Sequence, residues 1–404
     1  MSEIDQLIDE RFDEQVRFLA ELVKVPSDNP PGNCAPHASR TAELLEAMGF
    51  SVERHAVPEA TARAHGMVDV TNLIIRHRFG PGPTVALNAH GDVVPPGKGW
   101  TRDPYGAEIV GDWMYGRGAA VSKSDFATYA FALDALRRLG RPLKGTVELH
   151  LTYDEEAGGE IGPAWLLDKG ISKPDLATGA GFSYGVVTAH NGCLHLEVEV
   201  KGRSAHAAKP STGVDALEVA NELMSALYAY RKTLSAPLSS TPGIGSPQLT
   251  IGLIEGGINT NVVPDRVVFR LDRRIIPEES PETVEAELRA LIGSAARKHG
   301  EASVAVRRIL LARPLREVDG SKRLAEVLCR HASRIMGEPI HAIGVPLYTD
   351  ARHYSERGIP IVLYGAGPRT IEEANAHRAD ERVPLSDLKK ATRVLAAALL
   401  ELLG

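Results

Sequence analysis

The feature that most constrains this chain is a change of periodicity partway along it. Before residue 191, short apolar runs at 51–55, 72–76, 84–89 and 146–152 alternate with segments whose apolar residues recur at helical spacing. Runs of the first kind read as strands and the 3.6-residue period reads as helix. Ile4, Leu7, Ile8, Phe12, Val16, Leu19 and Val23 mark one amphipathic helix ending before Pro26. A second helix runs to Met48 with Gly49 closing it, and a third spans 124–139 before Gly140. Such alternation predicts an α/β sheet with parallel strand pairs.

After Asn191 the texture differs. Leu194, Leu196, Val198 and Val200 alternate with polar residues, as in an antiparallel strand with one solvated face. A helix at 214–234, strands at 248–254 and 266–273, a helix opened by Ser280 and Pro281 and ending near Gly300, and a strand at 303–309 follow. The order β-α-β-β-α-β is the split βαβ, ferredoxin-like pattern. The tail resumes the first texture with a helix at 321–336, a strand at 361–364 and a closing helix from about Ser386. The expected fold is an α/β domain of residues 1–190 and 310–404, its mixed sheet flanked by helices, interrupted by a ferredoxin-like α+β domain of residues 191–309.

Composition narrows the function classes. A chain of 404 residues suits two domains. A net charge of −6 and a pI near 6.2 lack the basic excess of a nucleic-acid binder. No apolar run reaches the roughly 18 residues of a membrane span, and the acidic stretch from Met1 to Glu10 lacks a signal-peptide layout. Cys34, Cys193 and Cys329 are far apart and form no C-x-x-C pair. Neither a disulfide framework nor a cysteine-based zinc site is expected, and reduced thiols in a cytoplasmic protein are.

Four stretches carry chemistry. His90-Gly91-Asp92 follows an apolar strand, at the end where open α/β sheets place ligand groups. A neutral imidazole binds zinc well, and a carboxylate two residues on can accept its other N–H. Asp154-Glu155-Glu156 also follows a strand. Adjacent carboxylates resist joint ionisation unless a cation neutralises them; one can bind metal while its neighbour takes a proton from water. His377 stands in Ala376-His377-Arg378-Ala379-Asp380-Glu381 before the last helix. In the inserted domain, Ser204-Ala205-His206, Asn259-Thr260-Asn261 and Asp272-Arg273-Arg274 offer groups that could bind a carboxylate and a developing oxyanion. Taken singly, each stretch is more readily a solvated turn, a helix start or a strand end.

In this order, the stretches resemble the zinc-dependent aminoacylase and carboxypeptidase family, which includes acetylornithine deacetylase, succinyl-diaminopimelate desuccinylase and carboxypeptidase G. The segments Trp100 to Tyr105, Gly116-Arg117-Gly118-Ala119 and Asn261-Val262-Val263-Pro264 strengthen the match, which covers nearly the whole chain. The resemblance implies that His90, Glu156 and His377 bind metal and that Asp92 orients His90. It implies Glu155 as general base and then general acid, and His206 as oxyanion donor, reaching across a dimer from the partner's lid. It implies that Asn261 and Arg274 hold a substrate carboxylate. It also implies a lid that forms a homodimer and closes on substrate, with hinges near Asn191-Gly192 and 310–314.

Two departures bear on the metal. The family pattern Gly-Arg-Gly-Ala-x-Asp-x-Lys, whose Asp bridges two ions, here ends Ala120-Val121-Ser122-Lys123. The family's acidic ligand before the lid has no counterpart, since 178–193 contains no Asp or Glu and Ala180 aligns there. His90, Glu156 and His377 suffice for one ion with an open position, zinc by family default, with manganese, cobalt or iron also suited. Asp125 is a candidate substitute ligand, or an ordinary acid at a helix N-terminus. The expected activity is metal-dependent hydrolysis of a C–N amide bond in a small N-acyl amino acid or dipeptide-like molecule. The alternatives are hydrolytic deamination of a non-peptide small molecule and a metal-free binding relative.

Overall fold

Residues 2–404 are described by a computed structural model. Its strands in chain order are β1 (Val52–Ala56), β2 (Thr71–Arg78), β3 (Thr84–His90), β4 (Glu108–Val110), β5 (Trp113–Tyr115), β6 (Thr146–Thr152), β7 (Leu176–Gly179), β8 (Val186–His190), β9 (Gly192–Lys201), β10 (Gln248–Gly256), β11 (Arg266–Ile275), β12 (Ser303–Ala312), β13 (Ala342–Val345), β14 (Ile361–Leu363) and β15 (Arg382–Pro384). The chain divides into two units. The first comprises the chain up to Thr188, Glu317–Ile343 and Thr349–Gly404, and the second Ala189–Arg316 with Gly344–Tyr348.

The first unit is built on a mixed sheet of order β1-β2-β6-β3-β7-β14-β8-β13. β3 runs parallel to β6 and β7, and β14 parallel to β7, whereas β2 pairs antiparallel with β6. Val85 to His90 are all buried, which explains why this strand reads as a continuous apolar run rather than an alternating one. Helix Lys123–Leu139 lies almost wholly in the core and stops at Gly140, whose φ of +64° suits glycine. The N-terminal segment is two helices rather than the expected one, Glu3–Glu10 and Phe12–Val23. The break falls at Arg11, whose side chain turns to the buried Asp134 carboxylate at 3.0 Å and to Glu14. Among the described residues, no helix is long and apolar enough to cross a membrane.

The second unit holds a four-stranded antiparallel sheet of order β10-β11-β9-β12. Helices Ala216–Thr233 and Pro281–Ala296 are opened by Asp215 and Ser280, whose side chains accept backbone N–H groups of the first turn. Leu194, Leu196, Val198 and Val200 pack against Leu223, Leu227 and Leu288 of these helices. The opposite face carries Cys193, His195, Glu197 and Glu199, the last two paired with Arg270, Arg307 and Arg266.

Candidate active site

His90 ends β3 and lies buried. Its Nδ1 is 2.9 Å from the Asp92 backbone oxygen and 3.4 Å from Asp92 Oδ1. Both neighbours are acceptors, so Nδ1 carries the hydrogen and Nε2 is the nitrogen left to bind a ligand. Ser122 Oγ donates to the His90 carbonyl at 3.0 Å and accepts its N–H at 3.2 Å, fixing the end of the strand.

Asp92 is fully buried and braces the acidic turn after β6. It accepts the N–H of Glu155 at 3.2 Å, that of Glu156 at 3.1 Å, and Asn29 Nδ2 at 3.0 Å. Ligand atoms of His90, Glu155 and Glu156 thereby lie within 4.8 Å of one another. His377 joins this group through Glu156, with Nε2 3.3 Å from Oε1. Its backbone sits at φ +60°, a left-handed conformation uncommon outside glycine that is concentrated at functional sites.

The charges shift one another. Burial, then the negative charges of Glu156 and Asp92, push the Glu155 carboxyl up to about 7 against the pull of His90. Burial works against the His90 imidazolium, but the Asp92 hydrogen bond and the carboxylates of Glu155 and Glu156 hold its pKa well above the usual value. A hydrogen bond to Glu156 raises His377 as well. A crowded acidic site whose bases resist losing their protons is what a cation would relieve.

Val121 packs partly buried against the main core, as does Ala180. Asp125 does not turn toward the site as a ligand. Its Oδ1 accepts the Ala366 N–H at 2.6 Å, and burial pushes its carboxyl up to about 7. Lys123 is buried with Nζ on the carbonyls of Leu22 and Val25, at 3.3 and 3.0 Å, where helix Phe12–Val23 ends.

Three features of the site carry no local sequence signal. Glu381 is buried against Arg117 at 2.6 Å, both side chains 1% exposed, and its other oxygen accepts the N–H groups of Ala120 and Val121 at 3.1 and 3.2 Å. Asp350 is buried and held well above its usual pKa by that burial and by Glu155 and Asp154, which places it beside the acidic turn. Arg352 Nη2 and His353 Nε2 meet the Gly158 carbonyl, the latter at 3.1 Å. A Cβ on Gly159, at φ +72°, would meet Asp350 Oδ1 at 2.1 Å. Asp350 opens the short helix Ala351–Ser355, five residues beyond the end of β13, and no pattern around it marks it as part of the site.

In the second unit, His206 and Asn261 come together. His206 bridges Val262, and the Ala207 N–H donates to the Asn261 carbonyl at 3.0 Å. The His206 Nδ1 accepts the Ala208 N–H at 3.0 Å. Arg274 lies on β11 with Nε 3.1 Å from Asp272 Oδ2.

Residues 86–401 match the model of Peptidase family M20/M25/M40. The chain is 29% identical to a succinyl-diaminopimelate desuccinylase of Methylorubrum populi over 393 residues, covering 92% of this chain and 94% of that protein. It is 29% identical to an acetylornithine deacetylase of Myxococcus xanthus over 390 residues, covering 96% and 97%. Its fold is similar to that of human carnosine dipeptidase 1, with a TM-score of 0.77 at 19% identity over 99% of this chain and 98% of the other. With a strand-end histidine, an acidic turn and a family match over most of its length, the chain belongs to Peptidase family M20/M25/M40, and is a metal-dependent hydrolase of C–N amide bonds.

Proposed function

We propose that this enzyme hydrolyses the amide bond of a small N-acyl amino acid or dipeptide-like molecule bearing a carboxylate. One divalent ion would be held by His90, Glu156 and His377. The supporting observation is the convergence of His90, Glu155 and Glu156 within 4.8 Å, with His377 3.3 Å from Glu156. Two imidazoles and a carboxylate fit zinc, and also manganese or cobalt. When bound, the ion would polarise the substrate carbonyl and make nearby water more acidic.

The chain's own groups do the rest. Asp92 holds His90 in one tautomer. Glu155, whose carboxyl is raised to about 7, takes a proton from the attacking water and passes it to the leaving nitrogen. His206 stabilises the oxyanion, and Asn261 and Arg274 hold the substrate carboxylate. The names of the desuccinylase and deacetylase relatives support an N-acyl amino acid as substrate class. Valine and alanine where carboxylates are expected favour one ion over two. They also keep a second reading in play: hydrolytic removal of an amine from a non-peptide carbon.

The proposal includes a cytoplasmic homodimer formed through the second unit. β10 is an edge strand that exposes Leu253 and Ile254, and helix Ala216–Thr233 adds exposed Leu217 and Tyr228. Exposed apolar edges invite pairing. Lysine at both Leu253 and Ile254 should give a monomer by sedimentation equilibrium; a wild-type chain that is already monomeric refutes the dimer.

The first test is elemental analysis of chelator-free protein, followed by turnover of a panel of acylated amino acids. An ion lost in H90A and in H377A, with amide turnover, supports the proposal. No ion dependent on His90 and His377 under any loading sinks it. Turnover of an amine-bearing ring but of no amide favours the second reading.

A further inference from the structure

A second cluster of metal-ligand side chains lies in the second unit. β9 and β11 pair antiparallel, with His195 opposite Asp272 and Cys193 opposite Arg274. Residues two apart on a strand share a face, so Cys193, His195 and Asp272 project together on the side away from the helices. The Cys193 Sγ is 3.0 Å from His195 Nε2 and 3.6 Å from Asp272 Oδ1, and His195 Nε2 is 3.3 Å from Asp272 Oδ2.

A cysteine, a histidine and an aspartate first suggest a nucleophile with its base. The geometry argues otherwise. Such a relay needs the thiol on one ring nitrogen and the carboxylate on the other. Here sulfur and carboxylate both face Nε2, which has only one position for a hydrogen. Three donor atoms within 4.8 Å of one another is the arrangement of a coordination site. For zinc–sulfur, zinc–nitrogen and zinc–oxygen bonds in a tetrahedron, the S–N, N–O and S–O edges come to roughly 3.6, 3.4 and 3.6 Å. The observed S–N and N–Oδ2 distances are 3.0 and 3.3 Å and the S–Oδ1 distance is 3.6 Å, so the carboxylate turns one oxygen to each neighbour; a small rotation of the carboxylate and an outward move of the sulfur bring one atom of each residue to these edges.

We propose that Cys193, His195 and Asp272 form a divalent-cation site, selective for zinc-like ions, that shares no ligand with the proposed hydrolytic site. Sulfur excludes magnesium and calcium, which prefer oxygen. Cys193 is buried, while the His195 and Asp272 side chains are 35% and 29% exposed, which leaves a solvent side for water as fourth ligand. Arg274 Nε, 3.1 Å from Asp272, orients the carboxylate as outer-sphere partners do. On binding, the Cys193 thiol gives its proton to solvent. The ion would then tie β9 to β11 where the chain enters the sheet at Gly192.

The test uses full-length protein loaded with cobalt(II), which gives a near-ultraviolet thiolate-to-cobalt charge-transfer band only when sulfur is bound. His90, Glu155, Glu156 and His377 offer no sulfur, so the band reports this site alone. The band is expected in wild type, in C34S, in C329S and in the double variant H90A/H377A. It is expected to vanish in C193S. H195A, which keeps the thiol, should weaken cobalt binding by more than the roughly 10–100-fold cost of removing an outer-sphere partner. Absence of the band in wild type at saturating cobalt, or its persistence in C193S, overturns the proposal. Because the readout survives loss of His90 and His377, failure here is distinct from failure of the proposed hydrolytic site.

Discussion

Replacing Asp92 by asparagine isolates the residue that holds the site together. Both carboxylate oxygens of Asp92 face donors: the Glu155 N–H on Oδ1, and the Glu156 N–H and Asn29 Nδ2 on Oδ2. An amide has one oxygen, so in either orientation its NH2 points at an N–H. At best the two bonds on Oδ2 survive, and the Glu155 bond is lost. A hydrogen bond to a charged group is worth about 1.5–3 kcal/mol, and a buried donor left unpaired costs about 1–3 kcal/mol. One effect opposes this: the Asp92 charge raises Asp154 and Glu155, so its removal relieves repulsion. A single unit of pKa relief is worth about 1.4 kcal/mol, which leaves a net loss of about 1–5 kcal/mol. Urea denaturation of metal-free D92N and wild type, followed by far-ultraviolet circular dichroism, reads this directly. Chelator competition should show metal affinity at the hydrolytic site down by about 10-fold, the low end for an outer-sphere partner, since His90 loses the carboxylate at 3.4 Å but keeps the backbone carbonyl at 2.9 Å. Unchanged stability together with unchanged affinity would refute the assignment of Asp92 as the brace of the site.

E155Q should keep its metal while kcat falls by about 10²–10⁴, read from initial rates on the best substrate; a fall in bound metal instead would make Glu155 a ligand. E381Q leaves the buried Arg117 without its carboxylate and should cost roughly 3–5 kcal/mol in the same urea assay. Asp125 is raised to about 7, so its contribution to stability is fully present below the usual aspartate range and is lost as pH rises toward that value. D125N should therefore gain on wild type between about pH 4 and about pH 7, and a constant difference across that window would count against the buried carboxyl.

The fold was largely legible because its core elements obey simple periods. The alternation at Leu194, Leu196, Val198 and Val200 and the buried run of β3 each record which faces are covered. The break at Arg11 was not legible, because its cause is Asp134, more than a hundred residues away. The candidate ligands stand in short ordered stretches, so their resemblance to a family could be read. Asp350 and Glu381 act on the site only through tertiary contact, and their flanking residues look like an ordinary helix start and an ordinary strand start. The Cys193, His195 and Asp272 cluster was hidden for the same reason: only the β9–β11 register brings the aspartate to the thiol.

The grip of Glu381 on the Ala120 and Val121 amides has a wider meaning. One carboxylate oxygen holds the Arg117 side chain and the other holds main chain only, so the loop's path at 121 is set through its amide and not its side chain. That position behaves as a socket: the protein keeps the frame and leaves the fitting interchangeable. Such a frame lets the side chain at 121 change without rerouting the loop that carries it.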